Sequence, residues 1–100
     1  MPGDELEWYL YMVRCRDGNL YTGIAIDIDR RFDEHQSGKG AKYLRGRAPL
    51  KLAFSEKIGK RSLALRIERL IKRLPKNRKE RIIAAGIDMD RLLKRRKQQA

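Results

Sequence analysis

Five side chains carry most of the chemical possibilities of this sequence: Tyr11, Tyr21, Arg31, His35 and Glu68. Arg31 and His35 stand four residues apart, so on a helix they share one face. An arginine is always charged and can fork onto phosphate oxygens. A histidine can relay a proton near neutral pH. Glu68 is the one acidic residue between Gly59 and Leu74. A lone carboxylate at the margin of a basic helix suits Mg²⁺ or Mn²⁺, an ion that keeps most of its waters. Tyr21 is the candidate for receiving the proton of an attacking water, although a free phenol titrates near ~10 and needs the help of a metal, His35 or another cation. Together these groups match what phosphodiester cleavage demands: an activated water, neutralised phosphoryl charge and a stabilised leaving oxygen. Each also has a purely structural reading. The tyrosines suit the core of a sheet, His35 a satisfied buried position, and Arg31 and Glu68 the surface, with Glu68 paired to Lys72 one helical turn on.

These groups need elements to hold them. Trp8 to Cys15 reads as a strand with two apolar faces: Tyr9, Tyr11, Val13 and Cys15 on one, Trp8, Leu10 and Met12 on the other. Such a strand is covered on both sides. Asp17-Gly18 marks a turn, and Leu20 to Ile26 returns as a second strand. Asp27 has the character of an N-cap, and Ile28, Phe32 and His35 follow at helical spacing to about Gln36. Ser37-Gly38-Lys39-Gly40 ends that helix. It is not a phosphate-cradling P-loop, since GxxxxGK[ST] is absent. A basic segment with Lys42, Tyr43, Arg45 and Arg47 runs to Pro49, and Leu50 to Ile58 alternates strictly as a third strand. After Gly59, Leu63, Ile67, Leu70 and Leu74 form a helical stripe that Pro75 closes. Further helical patterns reach Gly86 and then run from Ile87 into a frayed polar tail.

The hairpin fixes whether the tyrosines meet, because side chains alternate along a strand. A two-residue Asp17-Gly18 loop sends Tyr11 and Tyr21 to opposite faces. A three-residue loop, Arg16-Asp17-Gly18, pairs Cys15 with Asn19 and Tyr11 with Gly23, so both tyrosines share a face. That loop ends on a left-handed position, which glycine fills without steric cost. The spacing therefore predicts the three-residue loop, with Gly18 at positive φ and both hydroxyls opening toward Arg31, His35 and Glu68.

The series Tyr9-Leu10-Tyr11, Tyr21-Thr22-Gly23, Arg31, His35 and Glu68 resembles the GIY-YIG nuclease family, over about residues 7–84. It is most similar to small stand-alone members related to the N-terminal nuclease of the bacterial nucleotide excision repair enzyme. Only the last tyrosine of the first motif matches. Thr22 stands where the family has isoleucine, and Ile24 where it often has lysine. Asn77, nine positions after Glu68, is too near to take the family's asparagine role. The resemblance implies that Tyr11 and Tyr21 line an active site, and that Gly23 lets the nucleic-acid backbone approach. The expected fold is α/β (α+β): a small central, mainly antiparallel three-stranded sheet flanked by helices. One domain is expected across residues 1–100, with a basic C-terminal helix and tail from 87.

Charge supports a polyanionic partner. The chain nets +12, and all of that charge falls in residues 51–100, which hold 17 Lys/Arg and 5 Asp/Glu. Nucleic acid, DNA foremost, is the expected partner, with Lys39, Lys42, Arg45 and Arg47 on its backbone. A membrane partner is not expected. Cys15 is the single cysteine, which rules out an internal disulfide or a Cys-rich zinc site and reads as a buried thiol. The short acidic stretch Met1 to Glu7 is no signal peptide, no run reaches the ~18 apolar residues of a membrane span, and the cytoplasm is expected. The reading is an endonuclease that hydrolyses DNA with one Mg²⁺ or Mn²⁺, in repair or recombination. Arg31, Tyr21 and Glu68 do the chemistry, and Tyr11 and His35 position or relay. With about 20 residues outside the resemblance, a protein partner or a structured junction is expected to supply targeting. The alternatives are a nucleic-acid-binding module of the same fold without turnover, and a structural ribonucleoprotein component.

Overall fold

A computed structural model describes residues 6–98, with side chains through Lys94. The N-terminal stretch before Leu6 and the tail side chains beyond Lys94, read above as no signal peptide and as frayed, lie outside the described residues. The elements in order are β1 (Trp8–Arg14), β2 (Leu20–Ala25), α1 (Ile28–Gln36), a 3₁₀ turn (Lys42–Leu44), β3 (Lys51–Gly59), α2 (Arg61–Lys72), α3 (Lys76–Ala85) and α4 (Met89–Gln98). The sheet is antiparallel with order β2-β1-β3, so the two-faced strand sits in the centre. The expected α+β architecture is the one observed.

The hairpin takes the three-residue form. Cys15 N–H donates to Asn19 O at 2.8 Å, and Gly18 N–H donates to Cys15 O at 2.9 Å. Gly18 has φ +91°, and Tyr11 pairs with Gly23. Tyr11 and Tyr21 consequently leave the same face.

Each face of β1 has its own core. Tyr11, Val13 and Cys15 pack with Ala25, Leu44 and Leu50, under Ile28 and Phe32 of α1. Leu10 and Met12 pack with Ile67 and Ile71 of α2 and Leu92 of α4. α1 starts as expected, with the Asp27 carboxylate accepting from Arg30 N–H at 3.1 Å. A bidentate pair at 2.7 Å per bond ties Arg14, at the end of β1, to Glu80 on α3.

The third strand departs from strict alternation. Its ladder begins at Lys51, because Leu50 is hydrogen-bonded through both backbone groups to the Gln36 side chain, at 2.9 and 3.2 Å. The β1–β3 register slips between Met12 and Val13. A bulge reverses side-chain parity. Leu50 therefore joins the tyrosine face while Phe54 and Ile58 join the other.

Candidate active site

The tyrosine face is built from β1, β2 and α1. The Tyr11 and Tyr21 rings lie 6.4 Å apart, and the His35 ring lies 5.8 Å from the first and 5.6 Å from the second. His35 is 1% exposed, deeper than the flank of a helix stripe implies. Its two ring nitrogens are both engaged. Ala41 N–H donates to Nδ1 at 3.1 Å, and Nε2 lies 2.7 Å from the Tyr11 hydroxyl. A backbone N–H can only donate, so Nδ1 accepts and the neutral ring carries its proton on Nε2. His35 thus donates to the Tyr11 oxygen, and the Tyr11 hydrogen is free to point elsewhere. The relay role expected of His35 narrows to Tyr11, since neither nitrogen faces solvent.

Two glycines make this pair possible. A Cβ on Gly23 would come within 2.6 Å of the Tyr11 oxygen, and one on Gly40 would collide with His35 Nδ1. Gly23 makes room for the Tyr11 ring within the chain. Gly40 was not legible as part of the site; its place five residues after the histidine was the available signal.

Burial sets the charge states. It holds His35 below the usual imidazole range, and the Arg31 charge adds to the effect. The Tyr11 phenol is pushed up to about 12 by burial and by Tyr21 beside it, while Arg31 pulls it back. The negative charge of Glu68 adds a smaller push upward. Arg31 is half-exposed and bonds Glu34 at 2.9 Å, a carboxylate the sequence reading passed over.

Glu68 is linked to the tyrosines through Lys72, one turn on in the same helix. α2 lays Ile67 and Ile71 beneath the opposite face. Lys72 Nζ lies 6.0 Å from the Tyr21 ring centroid and 3.4 Å from a Glu68 oxygen. The structural pairing of Glu68 with Lys72 is therefore real, and it occurs inside the site. Among the described residues no three His, Cys, Asp or Glu side chains converge. One largely buried carboxylate, whose Lys72 partner lies by the Tyr21 ring, still fits a hard cation that keeps most of its waters.

Lys39, Lys42 and Arg45 are exposed nearby. Arg47 is committed within the chain: Nε donates to Tyr43 O at 2.7 Å, and a terminal nitrogen donates to Asp17 at 3.2 Å. The Tyr43 ring stacks on Tyr21 with centroids 6.0 Å apart. No helix among the described residues is long and apolar enough to cross a membrane.

Comparison with known proteins agrees with this geometry. A family model described as the GIY-YIG catalytic domain matches residues 7–81. A UPF0213 protein of Citrobacter koseri is 57% identical over 86 residues, 86% of either chain. The UPF0213 protein YhbQ of Escherichia coli O8 is 56% identical over the same share. The solution structure of a UPF0213 protein from Bacillus halodurans shares 38% identity at a TM-score of 0.53, covering 88% of this chain and 95% of that one. A solution structure of a protein from E. faecalis shares 38% identity at a TM-score of 0.57, covering 78% and 83%.

Proposed function

The chain belongs to the GIY-YIG family, and on that premise we propose that it is an endonuclease that hydrolyses the phosphodiester backbone of DNA with one divalent ion, Mg²⁺ or Mn²⁺. The observation that carries the reading is the buried His35–Tyr11 bond at 2.7 Å, its tautomer set by Ala41. A buried polar pair costs stability unless fully satisfied. Because His35 donates to the Tyr11 oxygen, the phenol hydrogen is left available to another acceptor.

The residues divide the work. Tyr11 stays protonated, since its phenol titrates only at about 12, and donates to a phosphoryl oxygen. Arg31 neutralises the charge that develops there; its ion pair with Glu34 leaves other guanidinium donors for phosphate. Tyr21 orients and helps activate the attacking water, which adds to phosphorus as the bond to the leaving oxygen breaks. Glu68 would hold the ion in place of its pairing with Lys72. When bound, the ion supplies Lewis-acid polarisation and a lowered pKa for a coordinated water. Lys39, Lys42 and Arg45 contact neighbouring phosphates. A cytoplasmic setting fits the free, buried Cys15, and repair or recombination fits the reaction, with targeting left to a protein partner or a structured junction.

The Lys72–Glu68 ion pair favours one second reading, a binding module whose carboxylate is permanently neutralised. A cleavage panel of single-stranded, duplex, flap and branched DNA with Mg²⁺ and Mn²⁺ separates the two. Cleavage of any member that Glu68→Gln abolishes supports the endonuclease. Binding without cleavage across the panel overturns it in favour of the module.

A further inference from the structure

A stack of side chains leads away from the candidate active site. Tyr43 lies against Tyr21, with planes inclined by 22°. The Arg47 guanidinium lies over the Tyr43 ring, its carbon 4.2 Å from the centroid. Beside Arg47 a cleft of about 270 Å³ opens between the β1–β2 turn and the loop after the 3₁₀ turn, lined by Arg16, Asp17, Arg45, Gly46 and Arg47 but not by Tyr43. That volume lies just below the ~300 Å³ at which drug-sized pockets begin, enough for one flat ring system.

Arg47 is held for a particular use. Its Nε bonds Tyr43 O and a terminal nitrogen bonds Asp17, so two of its N–H donors fix the guanidinium plane within the chain. Asp17 is satisfied in turn by Arg47 and by the Asn19 backbone and side chain, each at 3.0 Å. A guanidinium held in this way offers a fixed face as well as its remaining donors. Guanidinium planes and aromatic rings are the surfaces on which unpaired bases stack. Two further guanidiniums, Arg16 and Arg45, are exposed at the same cleft. The Arg16 side chain reaches Ala48 O at 3.1 Å, which fixes it at the rim.

We propose that this cleft is a nucleotide subsite, in which an unpaired base stacks on the free face of Arg47 while Arg16 and Arg45 hold its phosphate. It rests on the nucleic-acid reading above and sharpens it: the strand passes from Tyr21 over Tyr43 to the hairpin turn, and at least one base beside the scissile bond is out of the duplex. Arg47 then acts through stacking, a role that lysine cannot fill although it keeps the charge.

Binding is measured in the presence of EDTA, so the result does not depend on cleavage. A short oligothymidine and an abasic oligomer of equal length carry the same phosphates and differ only in bases. The wild-type chain is expected to bind oligothymidine about tenfold more tightly, in line with ~1–3 kcal/mol per stacked base. Arg47→Lys should erase that preference, whereas Arg45→Ala should weaken both oligomers alike and flatten the salt dependence. Equal binding of the two oligomers by wild type, or a preference retained by Arg47→Lys, overturns the proposal. Because Arg47 also ties the loop to the turn, a titration of the unaltered chain followed by NMR provides an independent reading. Thymidine monophosphate should shift the Gly46 and Arg47 resonances through the base ring current. Identical shifts with inorganic phosphate, or none with the nucleotide, overturn it. Failure here with cleavage intact leaves the endonuclease standing; base-dependent binding without cleavage leaves the subsite standing.

Discussion

The two faces of β1 are built on opposite principles. Leu10 and Met12 look onto Ile67, Ile71 and Leu92, and packing accounts for that side. One strand position over, Tyr11 looks onto His35 and Tyr21, and a buried polar pair with both His35 nitrogens bonded is set among the apolar side chains of that face. A cavity of about 700 Å³ between α3 and α4, under Leu74, Ile82 and Leu92, lies with the apolar side and is lined by none of the five candidate residues. In a small domain the central strand is the one element that both cores can share, so the rigidity of the apolar face is available to hold the polar one. The comparison predicts that substitutions on one face register in stability, and those on the other in activity.

The sharpest division should fall between neighbours on α2. Ile67 is fully buried, and Ile67→Ala should cost ~2–5 kcal/mol of stability, read by urea denaturation, while the folded fraction keeps its turnover. Glu68→Gln should lower cleavage at least ~10²-fold and move stability by no more than ~0.5 kcal/mol. DNA affinity should be unchanged or slightly higher, since a negative charge has gone. Parallel losses of binding and cleavage in the glutamine variant would dissolve the division.

Gly23→Ala tests whether the polar face tolerates displacement. The added methyl carbon would lie 2.6 Å from the Tyr11 oxygen and 2.7 Å from its Cζ, so the ring must move off His35. Overpacking of this kind costs ~1–3 kcal/mol. A shift near 1 Å in a reacting group costs up to ~10²-fold in rate, so kcat should fall further than the stability loss alone explains. An unchanged kcat would remove Tyr11 from the chemistry.

Acid should act through the polar face as well. The folded pKa of His35 lies below its unfolded value, through burial first and the Arg31 charge second. The unfolded chain takes up the proton first as pH falls. Stability from this group is therefore complete above the unfolded value near ~6.5 and is lost as pH falls toward the folded one, at ~1.4 kcal/mol per unit of depression. Melting temperature against pH should show this acid limb, and His35→Gln should remove it. An identical limb in the variant would assign the acid sensitivity to other groups.

The two faces also differed in how much of them the sequence disclosed. The tyrosines' shared face was legible because parity and loop length are local properties, and Gly18 marked the loop. The apolar stripe of α2 was legible for the same reason. Strict alternation put Leu50 on one side of its strand with Phe54 and Ile58, and their separation onto two faces was hidden because a bulge leaves no trace in an alternating pattern. The depth of His35 and the need for Gly40 depend on the return of a loop six residues on. Arg14 and Glu80 are 66 positions apart, and nothing local announces their bond. The committed donors of Arg47 were hidden likewise, since Asp17 lies 30 positions away.

The smallest effect should come from a buried hydroxyl on the apolar side. Thr22 pairs across the ladder with Met12, is 3% exposed, and its hydroxyl oxygen is buried without a hydrogen-bond partner among the described residues. A buried hydroxyl left unpaired costs ~1–3 kcal/mol, whereas an apolar group of the same shape does not. Valine has that shape. Thr22→Val should therefore leave cleavage unchanged and raise stability by about 1 kcal/mol, seen as a higher urea midpoint at constant slope. The site lies one residue from Gly23, so a neutral effect on activity would show how little lateral distance the division between the faces requires. A loss of stability would mean that the hydroxyl has a partner, such as a trapped water, and that the face beneath Leu10 and Met12 is held by more than packing.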